Sequence, residues 1–202
     1  MKQEILFILL DSFADWEGAY IAPILNFGCE PGTESKYVVK TVSLTKETVM
    51  SCGGFKVLPD YSINDIPADY AGVVLIGGTS WFNPETEQIV PLVQDAIQNK
   101  KLVAGICNAS VFLGMHGFLN EVNHTSNALE YIKAFAGVNY TGQCHYIDEP
   151  AVRDGNIVTA NGFSTLEFCR EILYALEACP EKMIEKNYRM NKTGVWEAPE
   201  MK

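Results

Sequence analysis

The sequence has few basic residues and only three histidines. Fifteen lysines and arginines stand against 25 aspartates and glutamates among 202 residues, which gives a formal net charge of −10. Such an excess of acidic side chains disfavours binding to the phosphates of nucleic acids or to anionic membrane surfaces. We therefore expect neither nucleic acid nor a membrane to be a partner of this protein.

Long hydrophobic runs and paired cysteine motifs are also missing. The first apolar run, residues 5–10, is too short to span a bilayer, and the sequence around it does not resemble a signal peptide. The six cysteines show no CxxC pair, so neither a zinc knuckle nor a secreted disulfide framework is indicated. Separated histidines without clustered carboxylates do not indicate a metal site. We expect a cytoplasmic protein with reduced thiols, no metal and no cofactor.

Strand-like apolar runs alternate with helical patterns along the chain. Strands are predicted over residues 4–10, 37–44, 71–76, 102–106, 143–152 and 156–160, with a small hairpin over residues 48–58. Helices are predicted up to Phe27 and over residues 85–100, 108–116, 127–135, 164–179 and 181–191. This alternation predicts an α/β fold, in which a mostly parallel central sheet carries helices on both faces.

The boundaries of these elements give two further expectations. We expect one domain over residues 1–180, followed by a helical extension and tail over residues 181–202. Asp15 is a candidate cap for the first helix, and Ser164 with Glu167 forms a capping-box pattern for the helix that follows them.

Cys107 stands where the apolar run of residues 102–106 changes abruptly to a helical pattern. Gly105 and Ala109 flank it with small side chains, as a tight strand-to-helix turn requires, and the pattern indicates a nucleophile elbow. The N-terminal amides of the following helix would favour the thiolate and lower the pKa of Cys107. The alternative interpretation is a buried cysteine with a packing role.

Glu17 follows the first strand in an apolar setting. Burial there would raise the pKa of its carboxyl and would leave it protonated or able to act as a base beside Cys107. The alternative is an ordinary carboxylate that is stabilised in the first turn of a helix.

His124 follows the elbow helix in a polar segment. A loop there can fold back over the sulfur, so His124 is the best histidine candidate for a general base, although a solvated loop histidine is the alternative. Gly77 and Gly78 follow a third core strand, and we expect their backbone N–H groups to point into the site and to bind an oxyanion there. Trp16 and Trp81 suggest a small apolar substrate pocket, and core or interface packing explains them equally well.

Four motifs resemble, in order, the landmarks of the ThiJ/PfpI superfamily. They are Leu75-Ile76-Gly77-Gly78, Ala104-Gly105-Ile106-Cys107-Asn108-Ala109, Asn123-His124-Thr125 and Ala160-Asn161-Gly162-Phe163-Ser164-Thr165-Leu166-Glu167-Phe168. The resemblance implies a flavodoxin-like three-layer fold of the class I glutamine amidotransferase type. It also implies that Cys107 is the reactive cysteine and Glu17 its acid, that His124 matches a histidine of the branch containing the parkinsonism-associated protein, and that Gly78 and Asn108 supply oxyanion-binding backbone. Many members are homodimers, so a homodimer is expected here.

Two departures from the superfamily patterns bear on function. The peptidase-like branch has a histidine directly after the cysteine, where this chain has Asn108, and no His-x-Glu pair of the glutaminase members follows Cys107. The resemblance therefore favours an enzyme of glyoxalase III or deglycase type that acts on α-oxoaldehydes. The alternatives are an oxidative-stress sensor or chaperone that uses an oxidisable Cys107, and a cysteine amidase or peptidase.

Overall fold

The central layer of the molecule is a mostly parallel β-sheet. The computed structural model describes residues 2–30 and 32–197. Its strands are β1 (Gln3–Ile8), β2 (Tyr37–Ser43), β3 (Val49–Met50), β4 (Lys56–Val57), β5 (Tyr61–Ser62), β6 (Tyr70–Leu75), β7 (Leu102–Ile106), β8 (Ala151–Asp154) and β9 (Ile157–Ala160). Seven of them form one sheet in the order β5-β2-β1-β6-β7-β9-β8, in which β8 runs antiparallel to β9. Strands β3 and β4 pair separately as the predicted hairpin.

Helices cover both faces of this sheet. They are α1 (Asp15–Ala19), α2 (Ile21–Phe27), α3 (Val90–Gln98), α4 (Asn108–Met115), α5 (Leu129–Ala136), α6 (Thr165–Ala175) and α7 (Glu181–Thr193). Apolar side chains of α2, α6 and α7 pack against Ile5 and Phe7 of β1 on one face. Apolar side chains of α3, α4 and α5 form a second core with Leu6 and Ile8 on the other face. The predicted three-layer α/β architecture is confirmed.

The strand order explains why the first strand is a continuous apolar run. Strand β1 pairs with β2 on one side and with β6 on the other, and residues 5–8 are at most 4% exposed. A strand whose two faces are both covered lacks the alternation of polar and apolar residues. Strands β1, β6 and β7 are neighbours and parallel, so the loops that follow Ile8, Leu75 and Ile106 lie at the same edge of the sheet.

Several predicted elements differ in the structure. The first helical segment is divided into α1 and α2 at Tyr20, ahead of Pro23. The helix predicted from residue 85 begins as a 3-10 helix and becomes α-helical only at Val90, where Pro91 suits the first turn because its missing N–H is not needed there. The prediction of a strand over residues 143–152 is wrong for most of this range. Gly142–His145 is a 3-10 helix, and Tyr146 forms only an isolated bridge to the loop at His124.

The predicted caps do not form either. The Asp15 carboxylate accepts a hydrogen bond from the Gly53 N–H (2.8 Å), which lies in the β3–β4 turn. The Ser164 hydroxyl donates to Asn161 Oδ1 (2.8 Å) instead of capping α6. Glu167, the other member of the pattern, accepts hydrogen bonds from two side chains of α7. These polar groups therefore connect separate segments.

Helix α7 packs against the body of the molecule. Ile184 is 1% exposed and lies in the same core as Phe168 and Ile172 of α6. Tyr188 and Lys192 each donate a 2.7 Å hydrogen bond to the Glu167 carboxylate. The last part of the predicted tail, residues 198–202, lies outside the described residues.

Cys29 and Cys179 form a disulfide bond, contrary to the expectation of reduced thiols. Cys29 follows α2, Cys179 precedes α7, and their Cα atoms are 6.4 Å apart. A sequence separation of 150 residues concealed the pairing, because only the folded chain brings the two loops together. Cys52, Cys107, Cys144 and Cys169 are free.

A disulfide that closes so long a loop restricts the unfolded chain, so its removal should lower the free energy of unfolding by about 2–4 kcal/mol. We expect Cys29→Ser, or treatment of the wild-type protein with dithiothreitol, to lower the Tm in differential scanning calorimetry. Cys144→Ser, at an exposed free thiol, is the matched control and should leave the Tm unchanged. Six titratable thiols in the denatured, unreduced protein would contradict the pairing.

Candidate active site

Cys107 lies at a sharp turn between β7 and α4. Its φ of 56° and ψ of −128° lie in a region that residues other than glycine rarely adopt. Its backbone N–H donates to the Ala160 oxygen (3.0 Å), which fixes the turn to the end of β9. Small neighbours make the turn possible, because a Cβ at Gly105 would lie 2.8 Å from the Leu113 side chain and Ala109 is completely buried. This is the geometry of a nucleophile elbow.

Glu17 of α1 lies beside Cys107 and is 1% exposed. Its Oε2 accepts a 2.6 Å hydrogen bond from the backbone N–H of Gly77, which follows β6. Gly77 has to be glycine, because a Cβ there would lie 2.5 Å from Glu17 Oε2 and 2.7 Å from the Cys107 Cβ. The Gly77 N–H was a predicted oxyanion donor, but in the structure it holds the carboxyl.

Gly162 borders the sulfur from the loop after β9. A Cβ at this position would lie 2.9 Å from Cys107 Sγ and 3.3 Å from Glu17 Oε1, so the two atoms face the same point. Glu17 Oε1 is buried and has no hydrogen-bond partner by distance and angle within the described part of the chain. The glycine therefore preserves the space in which the thiol and the carboxyl meet.

The thiol and the carboxyl compete for a proton. Burial raises the pKa of Glu17 to about 7, and hydrogen bonds from Gly77 and Cys107 oppose only part of this effect. Burial, and then the charge of Glu17, raise the pKa of the Cys107 thiol, although Asn127 and the Asn108 N–H donate to the sulfur. The Asn108 N–H at the start of α4 lowers this pKa, but desolvation outweighs it, so the predicted net lowering was wrong. The Glu17 carboxyl therefore loses its proton at a lower pH than the Cys107 thiol, and its negative charge then favours the protonated thiol.

Asn127, in the loop before α5, contacts the Cys107 sulfur through its side-chain amide. Asn127 Nδ2 donates to Cys107 Sγ (3.5 Å), and Asn127 Oδ1 accepts from the Gly162 N–H (3.0 Å). The second hydrogen bond fixes the orientation of the amide, so its N–H group faces the sulfur. An amide donates to a thiolate but takes up no proton. The sequence pattern did not indicate Asn127, because His124, three residues earlier, is the more familiar type of base.

His124 has partners other than Cys107. The ring is completely buried, its Nδ1 pairs with the Val122 oxygen (2.8 Å) and its Nε2 pairs with the Tyr140 hydroxyl (2.7 Å). Burial lowers the pKa of His124 and favours the neutral ring. The structure therefore does not bring the predicted base to the sulfur, since the loop turns its ring toward Tyr140.

Gly78 and Asn108, the two other predicted backbone donors, are joined by a hydrogen bond. Asn108 Nδ2 donates to the Gly78 oxygen (2.9 Å), which connects the start of α4 to the loop after β6. The Asn108 N–H donates to the Cys107 sulfur and favours its thiolate form. Gly78 approaches a second loop closely, because a Cβ there would lie 2.6 Å from the Ser12 oxygen.

The two tryptophans predicted to contact substrate lie in different environments. Trp16 is 52% exposed and its Nε1 donates to the Gly162 oxygen (3.2 Å), so the indole lies at the rim of the site. Trp81 is 1% exposed, donates to the Ile76 oxygen (2.7 Å) and packs against Phe112. Trp81 is therefore a core residue, with both its ring and its N–H group satisfied inside the protein.

Two other kinds of site find no support in the part of the chain that the structure describes. Residues 2–30 and 32–197 contain no cluster of three or more His, Cys, Asp or Glu side chains suited to a metal ion. Over the same ranges, none of the helices has both the length and the apolar character needed to cross a bilayer.

Comparison with known proteins decides the family. The model of the DJ-1/PfpI family matches residues 3–175, most of the chain. The chain belongs to the DJ-1/PfpI family. This confirms the superfamily resemblance, and the match includes Glu17, Cys107 and Asn127 within its bounds.

Relatives and solved structures in the DJ-1/PfpI family match nearly the whole chain. The uncharacterized protease YdeA of Bacillus subtilis is 38% identical over 194 residues, which are 96% of this chain and 93% of that protein. The crystal structure of the DJ-1 superfamily protein Atu0886 from Agrobacterium tumefaciens has 34% identity and a TM-score of 0.83, and covers 96% of this chain and 100% of its own. A thiJ/pfpI family protein from Bacillus anthracis has 32% identity and a TM-score of 0.88, over 96% and 92% of the two chains.

The raised pKa of Glu17 predicts a pH-dependent stability. Glu17 contributes most to stability below about pH 4.5, where its carboxyl is protonated in the folded and in the unfolded protein. This contribution is lost as the pH rises through about 7. The wild-type protein should therefore lose up to about 3 kcal/mol of free energy of unfolding relative to Glu17→Gln across this range. Urea denaturation at a series of pH values measures the difference.

Glu121→Gln, which neutralises an exposed glutamate, is the matched control for this measurement. It should follow the pH dependence of the wild-type protein. If the curve of Glu17→Gln also runs parallel to that of the wild-type protein, Glu17 does not have a raised pKa.

Proposed function

We propose that this chain is a cysteine-dependent enzyme of glyoxalase III or deglycase type, which converts α-oxoaldehydes such as methylglyoxal to 2-hydroxy acids. The observation that carries the proposal is the buried Glu17 carboxyl beside the Cys107 sulfur, with a pKa of about 7. A group that takes up and returns a proton works best when its pKa lies near the working pH. Glu17 meets this condition without help from His124.

The reaction begins with addition of Cys107 to the aldehyde carbon. The sulfur–carbon bond forms, the π electrons of the carbonyl move to its oxygen, and this oxygen takes the proton that Glu17 has received from the thiol. The product is a hemithioacetal. In this proposal the N–H groups of Gly78 and Asn108 donate to the oxygen while negative charge develops on it.

Glu17 then moves a proton between two carbons. Its carboxylate removes the hydrogen of the former aldehyde carbon, and the electrons pass through an enediol to the neighbouring carbonyl. Glu17 returns the proton to that second carbon, and the hydroxyl proton of the first carbon passes to the oxygen of the second, which gives the lactate thioester of Cys107. Water hydrolyses the thioester, releases lactate and restores the thiol. One carbon is oxidised and the other reduced, so methylglyoxal and water give lactate without an external oxidant or reductant.

Amide hydrolysis is the activity that the name of the YdeA relative suggests. A leaving amine has to be protonated, and Glu17 would have to do this alone, because Asn127 and Asn108, which donate to the sulfur, are amides without a transferable proton. His124 has its ring nitrogens engaged by Val122 and Tyr140. These contacts favour chemistry that needs a single acid–base carboxyl, so a peptidase or amidase is the weaker candidate.

Oxidation sensing is a second candidate, and the donors around the sulfur favour it. Asn127 Nδ2 and the Asn108 N–H both donate to Cys107, and a protonated Glu17 can donate to an oxygen bound to the sulfur. Peroxide would add these oxygens and would be reduced to water, with a sulfinate as the product. Mass spectrometry at low peroxide tests this role through a gain of two oxygens at Cys107.

The decisive assay follows lactate release from methylglyoxal by the purified protein. We expect Cys107→Ala to lower kcat by at least about 10³-fold, because the nucleophile is lost. Glu17→Gln should lower kcat by about 10²–10⁴-fold, because the carboxamide accepts no proton. Cys144→Ala removes an exposed free thiol and should retain the wild-type kcat.

Lactate production that is equal in the wild-type protein and in Cys107→Ala would overturn the proposal. A loss of activity in Cys107→Ala together with full activity in Glu17→Gln would retain the nucleophile but reject Glu17 as the acid–base group. Release of an amine from amide substrates, without turnover of methylglyoxal, would favour the hydrolase instead.

A further inference from the structure

The side chain of Asn108 is held at both ends. Its Oδ1 accepts a 3.0 Å hydrogen bond from the Tyr131 hydroxyl, and its Nδ2 donates a 2.9 Å hydrogen bond to the Gly78 oxygen. The Gly78 carbonyl can only accept a hydrogen bond, so the NH₂ group of the amide has to face it. The amide oxygen then faces the Tyr131 hydroxyl, which can donate, and the amide has one favourable orientation. A chain of hydrogen bonds therefore runs from α5 through the start of α4 to the loop after β6.

Tyr131 is itself fixed in place and lies close to the sulfur. Its ring packs 4.6 Å from that of Phe135 one turn later, and Phe135 packs 5.1 Å from Phe82. Burial, and then the charge of Cys107, raise the pKa of the Tyr131 phenol. The hydroxyl therefore stays protonated and remains a donor to Asn108 at neutral pH.

Asn108 connects the two residues whose backbone N–H groups hold the substrate oxygen in the proposed function. The Asn108 N–H is at the start of α4, and Gly78 lies in a separate loop, held by a bridge to Phe13. The strands that precede these two segments, β6 and β7, pair as far as Leu75 and Gly105. Beyond the end of this pairing, the Asn108–Gly78 hydrogen bond connects the two donor segments directly.

We propose that Tyr131 is a positioning residue, which acts through Asn108 to hold the Gly78 and Asn108 N–H groups at the spacing that binds the carbonyl oxygen of an aldehyde. This inference rests on the proposed function for the identity of the bound oxygen. In the step concerned, the thiolate forms a bond to the aldehyde carbon, the π electrons move to oxygen, and Glu17 supplies the proton. Tyr131 exchanges no proton in this step.

Two reactions of the same sulfur separate positioning from general reactivity. Propanal adds to a thiol as a hemithioacetal and creates an oxygen that needs the two donors, but it lacks the second carbonyl required for turnover. Iodoacetamide alkylates the thiolate by displacement of iodide and creates no such oxygen. The propanal concentration that halves the rate of Cys107 alkylation by iodoacetamide therefore measures the stability of the hemithioacetal. No catalytic turnover is involved.

Tyr131→Phe keeps the ring and its contact with Phe135 but removes the hydroxyl. We expect the propanal concentration that halves the alkylation of Cys107 to rise roughly tenfold in this variant. This effect is smaller than that of removing an oxyanion donor, because the two N–H groups are still present but are held less firmly. The rate of alkylation by iodoacetamide without propanal should change less than about twofold. Tyr174→Phe removes a hydroxyl bonded to Glu185 on the opposite face of the sheet and should alter neither quantity.

A double-mutant cycle tests whether Tyr131 acts through Asn108. Asn108→Ala should weaken protection by propanal at least as much as Tyr131→Phe does, and adding Tyr131→Phe to Asn108→Ala should change it no further. Three results would each overturn the inference. Tyr131→Phe could leave the protection by propanal unchanged, it could change the alkylation rate without propanal by the same factor, or its effect could add to that of Asn108→Ala. Failure of the proposed function is a separate result, namely protection by propanal without release of lactate from methylglyoxal.

Discussion

At the edge of the sheet where the parallel strands end, the buried Glu17 carboxyl and the partly buried Cys107 thiol face the same small space. Burial raises the pKa of Glu17 to about 7, and burial together with the charge of Glu17 raises that of Cys107. One negative charge is stabilised there by the Gly77 N–H on the carboxyl and by Asn127 on the sulfur. The remainder of the site follows from this constraint, because a side chain at Gly77 or Gly162 would occupy the space in which the two groups meet.

The fold supplies these contacts from distant parts of the chain. Glu17 comes from the helix after β1, Gly77 from the end of β6, Cys107 from the turn after β7, Asn127 from the segment before α5 and Gly162 from the loop after β9. Parallel strands bring all of these connections to one edge of the sheet, which is why open α/β sheets bind their ligands there. In this chain the edge carries one buried acid and several fixed amide donors, a set suited to moving a proton along a small substrate.

The sequence was sufficient for features that depend on neighbouring residues. The apolar runs predicted the central strands, and the small residues around Cys107 predicted the elbow. It was insufficient where distant segments meet: the Cys29–Cys179 disulfide joins loops 150 residues apart, and the raised pKa of Cys107 arises from burial and from Glu17. Asn127 and His124 are three residues apart, and only the path of the loop determines which of them reaches the sulfur. The homodimer and the cytoplasmic location stay predictions.

The most direct test of the raised Glu17 pKa is a carbon-13 NMR titration of the glutamate carboxyl groups. Glu17 is assigned by the signal that disappears in Glu17→Gln. We predict that this carboxyl titrates with a pKa of about 7 in the wild-type protein. A Glu17 carboxyl that titrates near the ordinary value of 4.5 would contradict the central claim, because it would remain fully charged beside Cys107 at neutral pH.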